Sequence, residues 1–446
     1  MDADVRTISE LARQIRAGSL SAEAATEHCL ARIAERDRDI NAYITVTADE
    51  ARAQARDADR ELKAGRDRGP LHGVPISLKD LIDVRGTPTT AASRVRAGHI
   101  ATTDAVVTTR LRQAGAVFVG KTNLHEFAFG TTNEDSAYGP VHHPLDPTRS
   151  PGGSSGGSAA SVLAGMAFAS IGTDTGGSIR IPSSVCGLVG LKPALGEIPI
   201  DGVVPLSMLL DHVGPLCQSV EDAGIVYHAL RGVANPPSIQ RREVRGLRLG
   251  IPRQYLMDLL DVEVGASFEA AVQRLSRAGA VLEDVVIPHA NYASAIYVHL
   301  ALPEAAAYHA STLDSRPDDY SQNVRLRIET GRYILAEDYV RALLGREVLI
   351  ADVKAALAGR DGLLLPTMAI PAPKLGAVTV SLGGTEEPVR NAMLRLTQPF
   401  NISGHAAISI PCGKTREGLP IGAQIVGAQT ADVLEIAACL EPLMDQ

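Results

Sequence analysis

The sequence predicts an α/β protein in which a β-sheet is covered by helices. Short apolar runs, such as GVPISLKD from Gly73, AFASIGTD from Ala167 and PIGAQIVG from Pro420, alternate with helical stretches over most of the chain. This alternation is typical of a sheet with helices on its faces. RLRQAGAV from Arg110 and RLSRAGAV from Arg274 each indicate a helix end, a glycine and the start of a strand. We therefore expect one helix-to-strand unit to occur twice.

The first 65 residues are predicted to form helices that pack as an outer layer. Thr7 and Glu10 have the spacing of a capping box, and Ser21 precedes the periodic segment AEAATEHCLARIAERD. Proline and glycine cluster in residues 232–240 (GVANPPSIQ), which we interpret as a long surface connection.

Composition excludes several classes of protein. The 446 residues include 43 Lys plus Arg and 51 Asp plus Glu, and the net charge of −8 argues against a nucleic-acid binder. No apolar run approaches the roughly 18 residues of a membrane span, and the charged start lacks the apolar core of a signal peptide. We therefore expect a cytoplasmic protein without membrane association. The 5 cysteines are scattered without a CxxC pair, which disfavours a disulfide framework and a zinc site.

Two loops rich in glycine and serine are the most unusual feature of the sequence. They are GGSSGGS at residues 152–158 and TDTGGS at residues 173–178, and each leads into an apolar stretch. An isolated GGSSGGS would indicate a flexible linker, but this context places both loops inside folded structure. Backbone N–H groups in tight glycine loops can converge on a developing anion. A phosphate cradle is disfavoured because neither loop has the Lys-Ser/Thr ending of a P-loop.

A lysine at a strand end adds a third chemical group. The alternating run GVPISLKD carries Lys79 near its end, and one lysine with two glycine-framed serines indicates Ser-Lys nucleophilic catalysis. This chemistry needs a neutral amine, whereas a free lysine has a pKa of about 10.4. Burial in an apolar strand can lower that pKa by about 3 units.

A rival interpretation uses the first of the two serine loops differently. Gly152-x-Ser154-x-Gly156 matches the nucleophile elbow of α/β-hydrolases, and His405 lies late enough in the chain to complete a triad. The elbow requires a strand immediately before it. The preceding HHPLDPTRSP contains several prolines and does not indicate a central strand.

The segments GVPISLKD, GGSSGGSAAS and GTDTGGSIRIP, in this order, resemble the amidase signature family. The similarity runs from about Leu71 to the C-terminus. It implies one α/β/α domain over residues 1–446, built around a large mixed sheet with helices on both faces. Within it we expect a helical layer at 1–65, a catalytic core at 71–232 and a part at 240–446 that completes the sheet and the pocket. The resemblance also implies amide hydrolysis without a metal or another cofactor.

The resemblance assigns roles to the residues of the three motifs. Ser178 corresponds to the nucleophile, Ser154 to a bridging serine in a cis peptide, and Lys79 to the general base and acid. The oxyanion hole would consist of the backbone N–H groups of Thr175, Gly176, Gly177 and Ser178. The residues that would support the lysine and brace the loops are Ser155, Asp174 and Arg180.

The substrate preference is predicted from positions at which this sequence differs from one member of the family. The glutaminase component of tRNA-dependent amidotransferases holds the amino group of a free amino acid with an acidic residue. In this sequence the corresponding segment is AMLRLTQPFNISG, and Leu394 and Arg395 stand where that acidic residue would fall. Met208 and Leu209 replace a small polar pair of that relative. These apolar residues favour a neutral amide over a zwitterion. Candidate pocket residues are Phe129, Tyr138, Met208, Leu209 and Gln398, whereas Phe127 is at least as consistent with core packing.

The leading hypothesis is a stand-alone serine amidohydrolase for small neutral aryl or alkyl amides, extending to carbamates and esters. It would act through an acyl-enzyme, as a monomer or homodimer without an obligate protein partner. The first alternative is a glutaminase that delivers ammonia within an amidotransferase complex. The second is an α/β-hydrolase esterase that uses Ser154.

Overall fold

A computed structural model describes residues 5–233 and 235–444 and contains one mixed sheet of 11 strands and a separate hairpin. The strands are β1 (Tyr43–Val46), β2 (Pro75–Lys79), β3 (Val117–Thr122), β4 (Ala169–Asp174), β5 (Val189–Lys192), β6 (His212–Cys217), β7 (Arg248–Ile251), β8 (Val281–Asp284), β9 (Gly362–Pro366), β10 (Thr379–Leu382), β11 (Thr385–Pro388), β12 (Ala406–Lys414) and β13 (Pro420–Gly427). The order in the sheet is β1-β3-β2-β4-β6-β5-β12-β13-β9-β7-β8, and β10 pairs with β11. Strand β2 is parallel to β3 and β4, strand β7 is parallel to β8 and β9, and the other neighbours are antiparallel. This architecture confirms the predicted fold class.

Helices fill most of the sequence between the strands. They are α1 (Ile8–Arg16), α2 (Ala22–Ile40), α3 (Ala48–Lys63), α4 (Val106–Gln113), α5 (Gly156–Leu163), α6 (Arg180–Val185), α7 (Val220–Leu230), α8 (Val262–Arg277), α9 (Ala293–Ser315), α10 (Gln322–Gly331), α11 (Ala336–Leu357), α12 (Val389–Leu394), α13 (Gln398–Ile402) and α14 (Thr430–Met444). Short 3-10 turns occur at Arg94–Arg96, Glu126–Ala128, Ala290–Tyr292 and Pro317–Asp319. Within the described residues, no helix has the length and apolar character needed to cross a membrane.

The sheet is buried on both faces, as strand β9 illustrates. Leu363 and Leu365 belong to one hydrophobic cluster, whereas Leu364, between them, belongs to the other. Successive side chains of a strand point to opposite faces of a sheet. The two clusters are therefore separate cores above and below the sheet, and each is closed by helices.

The N-terminal segment departs from the prediction at one place. Thr7 caps the N-terminus of α1, where its hydroxyl accepts a hydrogen bond from the backbone N–H of Glu10 at 3.3 Å. Ser21 caps α2 in the same way and accepts a hydrogen bond from the N–H of Ala24 at 3.0 Å. The first 65 residues are not entirely helical, because β1 lies between α2 and α3 and pairs antiparallel with β3 at the edge of the sheet. A run of four residues is too short to give a clear periodicity.

Both copies of the repeated sequence unit have the predicted form. RLRQAGAV lies across the end of α4 and the start of β3, and RLSRAGAV lies across the end of α8 and the start of β8. The connection predicted from the proline and glycine cluster lies between α7 and β7.

Strands β2 and β4 are parallel neighbours near one side of the sheet. Ser77 is in register with Ser170, and the Ser77 hydroxyl donates a hydrogen bond to Ser170 Oγ at 2.9 Å. The carboxyl ends of parallel strands meet at the same edge of a sheet. Lys79, the last residue of β2, therefore lies beside the loop of residues 175–178 that follows β4.

Candidate active site

Lys79 is completely buried, and its partners are two hydroxyl groups. Its Nζ donates hydrogen bonds to Ser154 Oγ at 2.7 Å and to Thr173 Oγ1 at 2.9 Å. Burial lowers the pKa of Lys79 to about 7, although the more distant carboxylates of Asp211 and Asp174 act in the opposite direction. An amine with this pKa is neutral in a large fraction of molecules near neutral pH. The sequence indicated Lys79 and Ser154, but nothing in it singled out Thr173.

The loop that carries Ser154 is held through its backbone. The Gly153–Ser154 peptide bond is cis, and the Ser154 carbonyl accepts a hydrogen bond from the His125 N–H at 3.1 Å. Asn133 Oδ1 accepts hydrogen bonds from the N–H groups of Gly156 at 3.0 Å and Gly157 at 3.3 Å. Asn133 therefore holds the first turn of α5 just after the loop. Sequence reasoning missed this residue because it lies more than twenty positions upstream.

Ser155 joins the two glycine-rich loops. Its N–H donates to the Ser178 carbonyl at 3.3 Å, and its hydroxyl donates to the Thr173 carbonyl at 3.2 Å. The Thr173 N–H donates back to Ser155 Oγ at 3.4 Å. Ser155 thus contacts the residue that binds Lys79 and fixes the backbone beside Ser178.

Ser178 is the most accessible of the three candidate catalytic residues. It is 5% exposed, whereas Lys79 and Ser154 are both 0% exposed. It ends the loop that leaves β4 and lies against Ser155 through its carbonyl. A substrate that enters from solvent therefore reaches Ser178 before it reaches Ser154 or Lys79.

The backbone N–H groups of residues 175–178 have no backbone acceptor in the described parts of the chain. The loop is held instead by its carbonyl and side-chain oxygens. Thr397 Oγ1 donates to the Gly176 carbonyl at 2.6 Å, and Thr175 Oγ1 donates to Asp211 Oδ1 at 2.6 Å. The N–H groups remain available to a substrate oxygen, as an oxyanion hole requires.

Glycine is required at position 177 for two reasons. Its φ of +141° lies in a region that other residues rarely adopt. A Cβ atom at this position would lie 2.4 Å from Thr397 Oγ1 and 2.7 Å from Ile181 Cδ1. The backbone of the loop therefore lies directly against the segment that contains Thr397.

Asp174 and Arg180 brace the two ends of this loop. Both side chains are fully buried, and Arg180 donates to both carboxylate oxygens at 3.0 Å. Burial alone would raise the pKa of Asp174, but the charge and hydrogen bonds of Arg180, together with Lys192 and Asn401, outweigh burial and hold that pKa well below the usual range. Arg180 also donates to Asn401 Oδ1 at 2.6 Å and to Gln424 Oε1 at 3.0 Å. The pair thus links the loop to α13 and β13.

Asp211 is a second buried carboxylate near the loop. Besides the Thr175 hydroxyl, it accepts hydrogen bonds from the N–H groups of Leu206 at 2.8 Å and Ser207 at 3.1 Å. Burial raises its pKa to about 6, even though these hydrogen bonds act to lower it. Sequence reasoning missed Asp211, although it lies only two positions after Leu209.

The predicted pocket residues are found in different environments. Tyr138 is 40% exposed and Met208 is 76% exposed, so neither lies in a closed pocket. Leu209 is half-buried, and Phe129 is buried with its carbonyl accepting a hydrogen bond from Arg327 at 2.7 Å. Phe127 packs in the core, where its ring centroid lies 4.3 Å from that of His309 and 5.6 Å from that of Tyr320.

A cavity of about 160 Å³ lies beside α12 and α13. Its lining includes Gln398, one of the predicted pocket residues, together with Leu394 and Arg395. A Cβ atom on Gly176 would lie 3.2 Å from Leu394 Cδ2 and 3.2 Å from the Tyr297 hydroxyl. Leu394 and Tyr297 therefore border the loop of residues 175–178. Tyr297 lies in α9, a segment to which the sequence assigned no contacts.

The nucleophile-elbow interpretation finds no support in the structure. Ser154 lies in the connection between β3 and α5, and this described connection contains no strand that could precede a nucleophile elbow. Ser154 Oγ accepts a hydrogen bond from Lys79. His405 is held through its carbonyl, which accepts a hydrogen bond from Lys192 at 2.6 Å. Burial and the neighbouring Lys192 lower the pKa of His405 to about 4. In the two described ranges, no group of three His, Cys, Asp or Glu side chains could hold a metal ion.

Comparison with known proteins gives one family. A sequence profile described as Amidase matches residues 24–434. The chain is 38% identical to a Glutamyl-tRNA(Gln) amidotransferase component from Koribacter versatilis, with 99% of each chain covered. It is 39% identical to an Amidase of Pseudomonas putida, with 93% of this chain and 90% of the relative covered.

The fold leads to the same family. A solved structure described as an amidase superposes with a TM-score of 0.93 at 38% identity, with 98% of this chain and 100% of the other covered. Both kinds of comparison span almost the whole chain and therefore include every motif of the candidate site.

Proposed function

The chain belongs to the amidase signature family, and from that premise we propose that it hydrolyses the C–N bond of a small linear amide through an acyl-enzyme. The catalytic residues of this proposal are Ser178, Ser154 and Lys79. The observation that carries it is the 2.7 Å hydrogen bond between Lys79 Nζ and Ser154 Oγ in a fully buried site. Burial makes the lysine a base at neutral pH, and the serine gives it a path to the nucleophile.

In this proposal the proton moves from Ser178 through Ser154 to Lys79. Ser178 Oγ attacks the substrate carbonyl and passes its proton to Ser154 Oγ, while Ser154 passes its own proton to the neutral Lys79 amine. A hydroxyl can accept one proton while donating another. The tetrahedral intermediate carries a negative oxygen, which the N–H groups of residues 175–178 would bind.

Collapse of the intermediate breaks the C–N bond. The Lys79 ammonium returns its proton through Ser154 to the leaving nitrogen, and the amine departs as a neutral molecule. Water then attacks the acyl-enzyme with the same groups acting as base and acid. The acid product leaves, and the Ser178 hydroxyl and the neutral Lys79 are restored.

Release of aniline from an anilide and from its matched aryl carbamate tests this proposal. Wild type is compared with Lys79→Ala, Ser154→Ala and Ser178→Ala, and His405→Ala serves as the control. We expect His405→Ala to retain activity and the Lys79 and Ser178 variants to lose it by ~10³-fold or more. Loss of activity in His405→Ala with retention in Lys79→Ala would overturn the proposal. The anilide-to-carbamate ratio also measures the proposed extension to carbamates.

A second candidate function rests on the relatives named as components of an amidotransferase, one of which is 38% identical over nearly the whole chain. It assigns the chain the role of a glutaminase that acts in a complex. We favour the stand-alone enzyme, a monomer or homodimer in the cytoplasm, because Leu394 borders the loop where that role needs a carboxylate for the substrate amino group. Turnover of an anilide by the purified chain, without turnover of glutamine, supports the stand-alone enzyme. Glutamine hydrolysis that appears only with a partner supports the complex.

A further inference from the structure

Asp211 is a buried carboxylate whose hydrogen bonds, within the described residues, all come from uncharged groups. It is 8% exposed. Oδ1 accepts a hydrogen bond from the Thr175 hydroxyl at 2.6 Å, and Oδ2 accepts one from the N–H of Leu206 at 2.8 Å and one from that of Ser207 at 3.1 Å. A buried charge without a bonded counter-ion is costly. Stability alone therefore gives no reason for a carboxylate at this place.

The partners of Asp211 fit its ionised form. Two of the three are backbone N–H groups, which only donate hydrogen bonds. A protonated Asp211 would carry its proton on Oδ1, and the Thr175 hydroxyl would have to accept a hydrogen bond instead of donating one. Burial raises the pKa of Asp211 to about 6, so the carboxylate predominates at neutral pH. The ionised form thus holds the Thr175 hydroxyl in one orientation.

Thr175 is the first residue of the loop that would bind the substrate oxygen, the oxyanion loop of residues 175–178. The backbone N–H groups of this loop have no backbone acceptor in the described ranges. Two side-chain contacts hold its first half, namely Thr175 on Asp211 and the Gly176 carbonyl on Thr397 Oγ1 at 2.6 Å. A misplacement of about 1 Å at a reacting centre can cost about 10²-fold in rate. The contact with Asp211 therefore bears directly on where the N–H groups point.

The turn that leads into Asp211 is anchored from outside by α9 and α11. Ser207 Oγ donates to Glu304 Oε2 at 2.6 Å, and the Leu209 N–H donates to the same oxygen at 3.3 Å. The Tyr339 hydroxyl donates to Glu304 Oε1 at 2.9 Å. The Asp211 N–H donates to the Ser207 carbonyl at 3.0 Å. Asp211 is thus held in place by its own turn and, through Glu304, by two helices.

Asp211 also acts on Lys79 through its charge. Two carboxylates of the described chain influence Lys79 in this way, Asp211 more strongly than Asp174. The charge of Asp174 is already matched by Arg180 at 3.0 Å. The charge of Asp211 favours the ammonium that Lys79 becomes when it takes a proton. Burial, with a smaller contribution from Asp211, raises the pKa of Tyr297 to about 12, so this phenol stays neutral during the reaction.

We propose that Asp211 is a positioning residue whose carboxylate fixes Thr175 and the oxyanion loop and stabilises the Lys79 ammonium formed during catalysis. This inference rests on the proposed amide hydrolysis and adds a fourth side chain to its machinery. Asp211 touches none of the three residues assigned to proton transfer and acts through Thr175 and through its charge.

The variant Asp211→Asn tests the role of the charge. It keeps the shape and an acceptor for the N–H groups of Leu206 and Ser207, so the fold should be retained. We expect the plateau value of kcat to fall by about 10- to 100-fold with little change in KM, because Lys79 becomes a weaker base. The acid limb of the kcat/KM profile should move to lower pH by about 0.5 pH units or more. An acid limb that stays in place or moves to higher pH would overturn the inference.

Asp222→Asn is the matched control. Asp222 is also a buried carboxylate, burial raises its pKa to about 6, and it accepts a hydrogen bond from the Ser9 N–H at 3.1 Å. Its charge is not among those that act on Lys79, so the pH profile should stay in place. Glu304→Ala loosens the turn and leaves the charge of Asp211, so the acid limb should again stay in place. An equal shift in Glu304→Ala would assign the effect to structure and overturn the inference.

Thr175 variants test the contact itself. Thr175→Val keeps the shape of the side chain and removes its hydroxyl, and we expect the plateau value of kcat to fall by about 10- to 100-fold. Thr175→Ser keeps the hydroxyl and should stay within about 3-fold of wild type. Full activity of Thr175→Val would show that the contact does not position the loop, and the inference would fail.

A reaction that needs no amide separates this inference from the proposed function. Phenylmethanesulfonyl fluoride forms a sulfonate ester with an activated serine and releases fluoride. Its rate of reaction with wild type and Asp211→Asn is followed by intact mass across the pH range, with Ser178→Ala as the unlabelled control. Slower labelling and the same movement of the acid limb in an enzyme that cleaves no anilide would contradict the proposed function and support the role of Asp211. Anilide turnover with the same acid limb in both proteins would support the function and overturn the inference.

Discussion

Arg180 binds both carboxylate oxygens of Asp174 at 3.0 Å, in an ion pair completely shielded from solvent that spans the loop between them. Removing one member leaves the other charged and buried. We expect Asp174→Asn to lower the free energy of unfolding by about 3–5 kcal/mol, measured by urea denaturation. Asp338→Asn is the control, because the Asp338–Arg341 pair is exposed and should contribute about 1 kcal/mol or less. Equal effects of the two substitutions would show that the buried pair has no special importance.

The pKa of Lys79 predicts the pH dependence of catalysis. The base must be neutral, so kcat/KM should rise with pH and level off above an apparent pKa of about 7. Rates measured from pH 5 to 9 with an uncharged anilide avoid titration of the substrate. A rate that stays constant between pH 6 and 8 would contradict the proposed role of Lys79.

The same lysine predicts how stability changes with pH. Its folded pKa of about 7 lies below the value of about 10.4 for a free lysine, so between these values the unfolded chain binds more protons. Its contribution to the free energy of unfolding therefore rises with pH across this window, by about 2.3 kcal/mol from pH 7 to pH 9. Urea denaturation at pH 7 and 9 should show this rise in wild type. The rise should be smaller by that amount in Lys79→Met, and equal rises in the two proteins would refute it.

Gly177 should tolerate no side chain. Its positive φ and the 2.4 Å approach of Thr397 Oγ1 mean that Gly177→Ala must displace the oxyanion loop. We expect kcat to fall by about 10²–10³-fold, the cost of losing one oxyanion donor. Gly265→Ala is the matched control, since Gly265 lies in α8 with nothing within 4 Å of the added methyl group. This control should keep full activity and gain up to about 1 kcal/mol of stability.

Thr173 should tune the base through its hydroxyl. It accepts a hydrogen bond from Lys79 Nζ at 2.9 Å, and such a bond favours the charged amine. Thr173→Val keeps the shape of the side chain and removes the acceptor, so the acid limb of the kcat/KM profile should move to lower pH. Thr367→Val, which removes a buried hydroxyl pair with Ser409, is the control and should leave the profile in place. A shift to higher pH would contradict this account.

Most of the candidate site residues that could be predicted from the sequence lie in short local motifs. Lys79, Ser154 and residues 175–178 stand in short segments whose glycines and hydroxyls are unusual in themselves. Asn133, Asp211 and Tyr297 had no such signal, because their roles arise from contacts with segments distant in the chain. Strand β1 was missed because its pairing with β3, rather than its own pattern, defines it.

The pairing of β2 with β4 sets the position of Lys79 at the end of β2. A shift of one residue in this pairing would turn Lys79 to the other face of the sheet. Lys79 is therefore fixed by the sheet, whereas Ser154 and Ser178 lie on loops that are held by hydrogen bonds. Tyr297 of α9 and Leu394 of α12, which come from another stretch of the chain, lie next to Gly176. We therefore expect substitutions in α9 and α12 to change which acyl or amine group the enzyme accepts, without moving Lys79.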